Sequence, residues 1–66
     1  MLQVNDNITG ETRRYNDIDE LREGEKREYD ESVHGVIDNL CDAYRRGEYV
    51  GADEAYLGVT IESLED

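Results

Sequence analysis

The strongest constraint in this chain is a row of apolar residues at helical spacing. Tyr29, Val33, Val36, Ile37, Leu40, Cys41 and Tyr44 recur at intervals of three, four and seven, which predicts a helix from about Glu28 to Arg46 with one apolar side. Whatever else folds must cover that stripe. Arg45 and Arg46 suit the negative end of the helix dipole, and Gly47 supplies a stop. Gly35, on the outer face, costs about 1 kcal/mol relative to Ala, a loss that a close backbone approach would explain.

The flanks supply the cover. Leu2-Gln3-Val4 and Thr12-Arg13-Arg14-Tyr15 read as two antiparallel strands, joined by the turn formers Asn5 to Gly10 with Gly10 in the left-handed position. Asn16 to Glu23 has a capping residue, acids in its first turn and Ile18 and Leu21 to bury, so it predicts a short helix stopping at Gly24. After a connector from Glu48 to Glu54, alternation of Ala55, Leu57, Val59 and Ile61 predicts a half-buried strand over 55–62. Alternatively, Asp53-Glu54 caps one helical turn at Ala55-Tyr56-Leu57 and the strand shortens to Gly58–Glu62. The tail from Ser63 to Asp66 is expected to fray. The expected fold is α+β: one domain over 1–66, with a small three-stranded antiparallel sheet and one long and one short helix packed on one face, in the order β-β-α-α-β.

Sixty-six residues leave room for a single thin core and for no cleft between subdomains, so an exposed face is the expected working part. The balance of 18 Asp+Glu against 7 Lys+Arg, a formal net charge of -11, repels nucleic acid and anionic lipid and attracts basic protein surfaces. With 36% hydrophobic residues the chain lies close to the composition of disordered segments. Five Tyr, no Pro and the regular apolar spacing favour folding. The single Cys excludes an internal disulfide, and no basic-then-apolar leader or membrane-length apolar run is visible, so a reducing cytoplasmic setting is expected.

Catalytic and metal chemistry find little support. Cys41 and His34 share a side of the predicted helix but stand about 10 Å apart along its axis, too far to act as nucleophile and base. Cys41 reads as a core residue and His34 as a flanking one. Asn5, Asn7, Thr9 and Gly10 fall at the spacing of a calcium loop, yet its first position lacks Asp and its twelfth is Asn16, so a hairpin turn is the preferred reading. One His and one Cys cannot build a zinc site, and no phosphate-cradling Gly pattern occurs. The expectation is a protein that is not an enzyme and carries no cofactor.

What remains is the arrangement of acids. On a helical wheel Glu28, Glu31, Asp38 and Asp42 fall opposite the apolar stripe, spaced about 4 to 11 Å along the axis, comparable with neighbouring phosphates on a nucleic acid strand. Asp17, Glu20 and Glu23, with Asp19 and Glu25, add an acidic run from the first helix, and Asp53-Glu54 another patch. Like charges one turn apart, such as Asp38 and Asp42, destabilise a helix, so their retention points to use. The plainer alternative is a solvated face that only maintains solubility.

In size, charge and element order the chain resembles the small acidic phage-encoded DNA-mimic inhibitors, type I anti-CRISPR proteins among them; the likeness is of composition and architecture and rests on no shared motif. The resemblance implies occupation of a Lys/Arg-lined nucleic-acid-binding surface, for instance the PAM-reading surface of a CRISPR effector subunit, in the host cytoplasm. The carboxylates named above would stand in for phosphates, and Tyr15, Tyr29, Tyr49 or Tyr56 would anchor the contact, while Arg13, Arg14, Arg45 and Arg46 depart from a pure mimic. Two rival readings stay open. One Lys against six Arg also fits a salt-adapted domain. An adaptor or antitoxin-like subunit would bind through a Leu57-Val59-Ile61 edge, acting as a monomer or a weak dimer.

Overall fold

The structure, a computed structural model, describes residues 1–64. Strand β1 (Leu2–Asp6) is central in an antiparallel sheet of order β2-β1-β3, flanked by β2 (Thr12–Tyr15) and β3 (Val59–Ser63). Its register pairs Val4 with Arg13 on one side and with Ile61 on the other. The helices are α1 (Ile18–Glu28), α2 (His34–Arg45) and α3 (Gly51–Leu57), with a 3-10 turn at Glu31–Val33 leading into α2. The α+β class and the antiparallel three-stranded sheet are those expected.

Local chemistry explains each junction. The β1–β2 turn is an Asx turn: Asp6 Oδ1 accepts from Ile8 N at 2.9 Å and Thr9 N at 3.0 Å, and Gly10 takes φ 80. Those amides, Thr9 first, hold the Asp6 carboxyl below its ordinary pKa. Asn5 and Asn7 donate instead to Glu62 and Thr60, so the resemblance to a calcium loop ends at the spacing. Asp17 caps α1, accepting from Glu20 N at 2.8 Å.

Three boundaries differ from expectation. Helix α1 runs through Gly24 to Glu28, because that glycine lies beneath the Tyr15 ring, where a Cβ would stand 2.7 Å from Tyr15 Oη. The long helix expected from Glu28 begins later: Tyr29 and Asp30 are extended, Asp30 caps the 3-10 turn through Ser32 N at 3.3 Å, and a hairpin of α1 and α2 results. The connector becomes α3, which incorporates Ala55-Tyr56-Leu57 and ends on Gly58 at φ 74, so the shorter final strand is the one realised. Gly35 has open space around it, with no close approach to account for it. Of the tail expected to fray, Ser63 belongs to β3 and Leu64 N bonds Met1 O at 2.9 Å; Glu65 and Asp66 lie outside the described residues.

The core lies between the sheet and the helices, centred on Val4, Leu21, Ile37, Leu40 and Cys41. Tyr29, Val33, Val36 and Tyr44 from the predicted stripe flank it half-buried. A void of about 10 Å³ among Val4, Leu21, Glu25 and Ile37 scarcely fits one water, so this part of the core offers no ligand cavity. The other sheet face is polar: Arg14 Nε donates to Gln3, Gln3 Nε2 to Asn5 and Asn5 Nδ2 to Glu62.

Candidate functional site

The acids divide into those bonded to cations of the same chain and those left over. Across the α1–α2 hairpin runs an ionic ladder. Lys26 Nζ meets Asp38 Oδ1 at 2.7 Å, Arg22 Nη2 meets Asp42 Oδ1 at 2.6 Å, and Arg45 pairs with Asp19. The partners' numbers fall on one antiparallel register, so the ladder follows from the hairpin geometry. At its closed end the His34 ring Nε2 donates to the carbonyls of Lys26, at 2.8 Å, and Tyr29, at 3.2 Å, capping α1 with the tautomer that carries its proton on Nε2. The Lys26 bond, foremost, holds the Asp38 carboxyl below its ordinary pKa.

A second cluster ties β2 to α1. Glu25, 4% exposed, accepts Arg13 Nε at 2.8 Å, Arg13 Nη2 at 2.9 Å and Tyr15 Oη at 2.6 Å. The Arg13 guanidinium also lies 3.5 Å from Asp6 and 3.2 Å from Glu11. The sequence signal was present in the alternation of β2, which sends Arg13 and Tyr15 to the helix side together. Its target was hidden because Glu25 looked like one acid among many.

Glu28, Glu31, Asp38 and Asp42 therefore do not form the single stripe expected. Glu28 ends α1, 3.9 Å from Arg13 Nη1, and Glu31 sits exposed in the 3-10 turn. Asp38 and Asp42 lie on α2 but face α1, in the ladder. The broken helix causes this: the two pairs belong to different segments with different phase. Asp17 is spent as a cap, and Glu20 accepts from Asn16 Nδ2 at 3.1 Å. Asp53 accepts from Asn39 at 2.8 Å, and Glu54 from the Ile61 amide at 2.7 Å. Glu23 and Glu31 make no ion pair among the described residues and point to solvent.

Of the aromatic anchors suggested, Tyr15 and Tyr29 are engaged, the first with Glu25 and the second with Leu57 O at 3.4 Å. Tyr49 and Tyr56 are exposed, at 88% and 68%. The β3 edge is guarded: the Glu54 carboxylate occupies the Ile61 N–H that an incoming strand would need, Leu57 lies in α3, and Val59 is buried.

Among the described residues no helix is long and apolar enough to cross a membrane, and no three His, Cys, Asp or Glu side chains converge on a position for a metal ion. Cys41 is buried, and that burial pushes its thiol up in pKa, against the lesser pull of the adjacent Arg22. It is packed as a core residue, as the stripe indicated. Compared with known protein families, curated proteins and solved structures, this chain matches none.

Proposed function

We propose that this protein is a non-catalytic binding module that occupies the Lys/Arg-lined nucleic-acid-binding surface of another protein, in the manner of an acidic DNA mimic acting in the cytoplasm. The observation that supports the reading is how the charges are divided. Arg13, Arg22, Lys26, Arg45 and Arg46 are all tied to acids of their own chain. Subtracting them leaves a surplus of nearly one sign, carried by Glu20, Glu23, Glu31, Asp53 and Glu62, with Arg14 and Arg27 as the cations outside those pairs. Such a surplus raises the local concentration of a basic partner and steers its approach.

The contact favoured by this division differs from the stripe on α2. Asp38 and Asp42 serve the hairpin, while Glu20 and Glu23, one turn apart on the outer side of α1, and Glu31 beyond its end remain available. A CRISPR effector subunit is one partner of the required kind, and any protein that grips duplex phosphates with Lys and Arg is equivalent in chemistry. The test is competition. The protein, incubated with basic DNA-binding proteins at low salt, should be displaced by excess duplex, and triple charge reversal of Glu20, Glu23 and Glu31 to Lys should abolish capture while the fold persists. Capture that duplex DNA cannot compete away would end the reading.

Salt adaptation is the second reading, favoured by six Arg against one Lys. It predicts loss of structure at low ionic strength, where the mimic should be folded and should bind most tightly.

A further inference from the structure

One open cleft of about 560 Å³ lies where the end of α2 meets the start of α3, lined by Tyr44, Glu48, Tyr49, Val50, Glu54 and Ser63. Two tyrosines and two glutamates are among the residues that line it. The Tyr49 ring lies against the backbone at the start of α3. Its tip fills the space where a side chain at residue 51 would begin, so that a Cβ on Gly51 would stand 2.7 Å from Tyr49 Cε1. The ring is nevertheless 88% exposed, so its placement adds little to the core. Glu48 is tethered on one side by the backbone bond of its N–H to Ala43 O at 2.8 Å. Glu54 is fixed through the Ile61 amide, which occupies Oε2 and leaves Oε1 without a bonded partner among the described residues.

We propose that this cleft receives an arginine side chain of the basic partner. A planar guanidinium stacks on an aromatic face, sheds water more readily than an ammonium and bonds carboxylates with a fork of N–H groups. The cleft offers the exposed Tyr49 ring for stacking and the Glu48 and Glu54 carboxylates for the fork of N–H groups. The protein's own Arg46 already shows the polar half of this contact, its Nη2 resting 2.8 Å from Glu48 Oε1. Both members of that pair are more than half exposed, at 57% and 58%, so it is weak and open to exchange for an incoming guanidinium. This inference rests on the reading of the chain as a binder of a basic surface, and it names the point at which that surface is anchored.

The experiment titrates the full chain at low salt with an arginine–glycine repeat peptide and with its lysine counterpart, following the tyrosine ring and backbone amide resonances. Expected are shifts centred on Tyr44, Tyr49 and residues 48–51, and tighter binding of the arginine peptide. Tyr49→Ala should weaken that binding by about two- to fivefold, the worth of an exposed cation–aromatic contact. Tyr49→Phe should retain it. Gly51→Ala should weaken it by dislodging the ring, and Arg46→Gln should strengthen it by freeing Glu48. Arg27→Gln, which makes the same change of charge as Arg46→Gln at an exposed position outside the cleft lining, serves as the control. Binding with the shifts centred elsewhere, or a Tyr49→Ala protein that binds like the parent, overturns the cleft while leaving the acidic-surface reading intact. Equal affinity for the lysine peptide overturns the selection of guanidinium. Failure of both peptides to bind overturns the cleft and the acidic-surface reading together.

Discussion

Arg13 and Glu25 meet in a two-point ion pair, Nε on Oε2 at 2.8 Å and Nη2 on Oε1 at 2.9 Å, which fastens strand β2 to helix α1. Removing Glu25 leaves Arg13 only its longer contacts to Asp6, Glu11 and Glu28 and leaves Tyr15 Oη without its acceptor, a loss of up to about 3 to 5 kcal/mol. A chain of this length has about 3 to 10 kcal/mol of stability at the usual value per residue. Glu25→Ala should therefore remove a large share of that stability, lowering the urea midpoint followed by circular dichroism, and Glu25→Gln, which keeps the shape and loses the charge, should fall between it and the parent.

The ladder separates acids that hold the fold from acids that are free. Asp42→Lys places a cation against Arg22 and should lower stability by about 1 kcal/mol. Glu23→Lys breaks no pair and relieves net repulsion, so its effect should stay within about 0.5 kcal/mol. Urea unfolding of the two variants checks the contrast, and equal losses would show that the ladder contributes nothing.

Gly24 in α1 and Gly35 in α2 should respond oppositely to alanine. Gly35 has nothing within reach of a Cβ, so Gly35→Ala should gain up to about 1 kcal/mol from helix propensity. Gly24→Ala drives a methyl into the Tyr15 ring, itself pinned by its bond to Glu25, and should lose stability despite the same propensity gain. Thermal melts of the pair read the difference directly.

Stability should fall at both ends of the pH scale. Asp6, Asp30 and Asp38 are held below their ordinary pKa by bonds from Thr9, Ser32 and Lys26 respectively. Their contribution is whole above the unfolded value of about 3.9 and is lost as pH falls through the lower folded values. Burial, foremost, raises the Tyr15 and Tyr29 phenols, with the Glu25 bond adding to Tyr15. Their contribution is whole below about pH 10 and is lost as pH climbs through the raised values. Urea midpoints across pH should drop below about 4 and above about 10, and Tyr15→Phe should flatten the alkaline limb. A midpoint that rises steadily down to pH 3 would contradict the acid limb.

Cys41 should resist alkylation in the folded state. Its sulfur is buried and its thiol is raised in pKa, which suppresses the reactive thiolate. Iodoacetamide labelling should track global unfolding as urea is added. Labelling of the native protein at the rate of a free thiol would mean that the α1–α2 seam opens locally.

The sequence determined the three strands and the first two helices, though not α3, because local signals act over a few residues. The turn at Gly10, the Asp17 cap, the stop at Gly47 and the buried run of Ile37, Leu40 and Cys41 follow from neighbours in the chain. The excess of acid was legible as well.

Tertiary structure decided which acids that excess leaves available. Whether an Asp is free or bound depends on what stands across from it, and the break at Tyr29 and Asp30 turned a single long helix into a hairpin that sets Asp38 and Asp42 against Lys26 and Arg22. The signal for that break, Asp30 capping Ser32, is a single hydrogen bond outweighed in the sequence by seven apolar residues in helical phase. Gly24 shows the same limit, for a glycine that ends a helix and one that admits a ring from a neighbouring strand look alike until the strand is in place. Charge pairing and close packing are relations between distant positions, so they become visible only once the chain has folded.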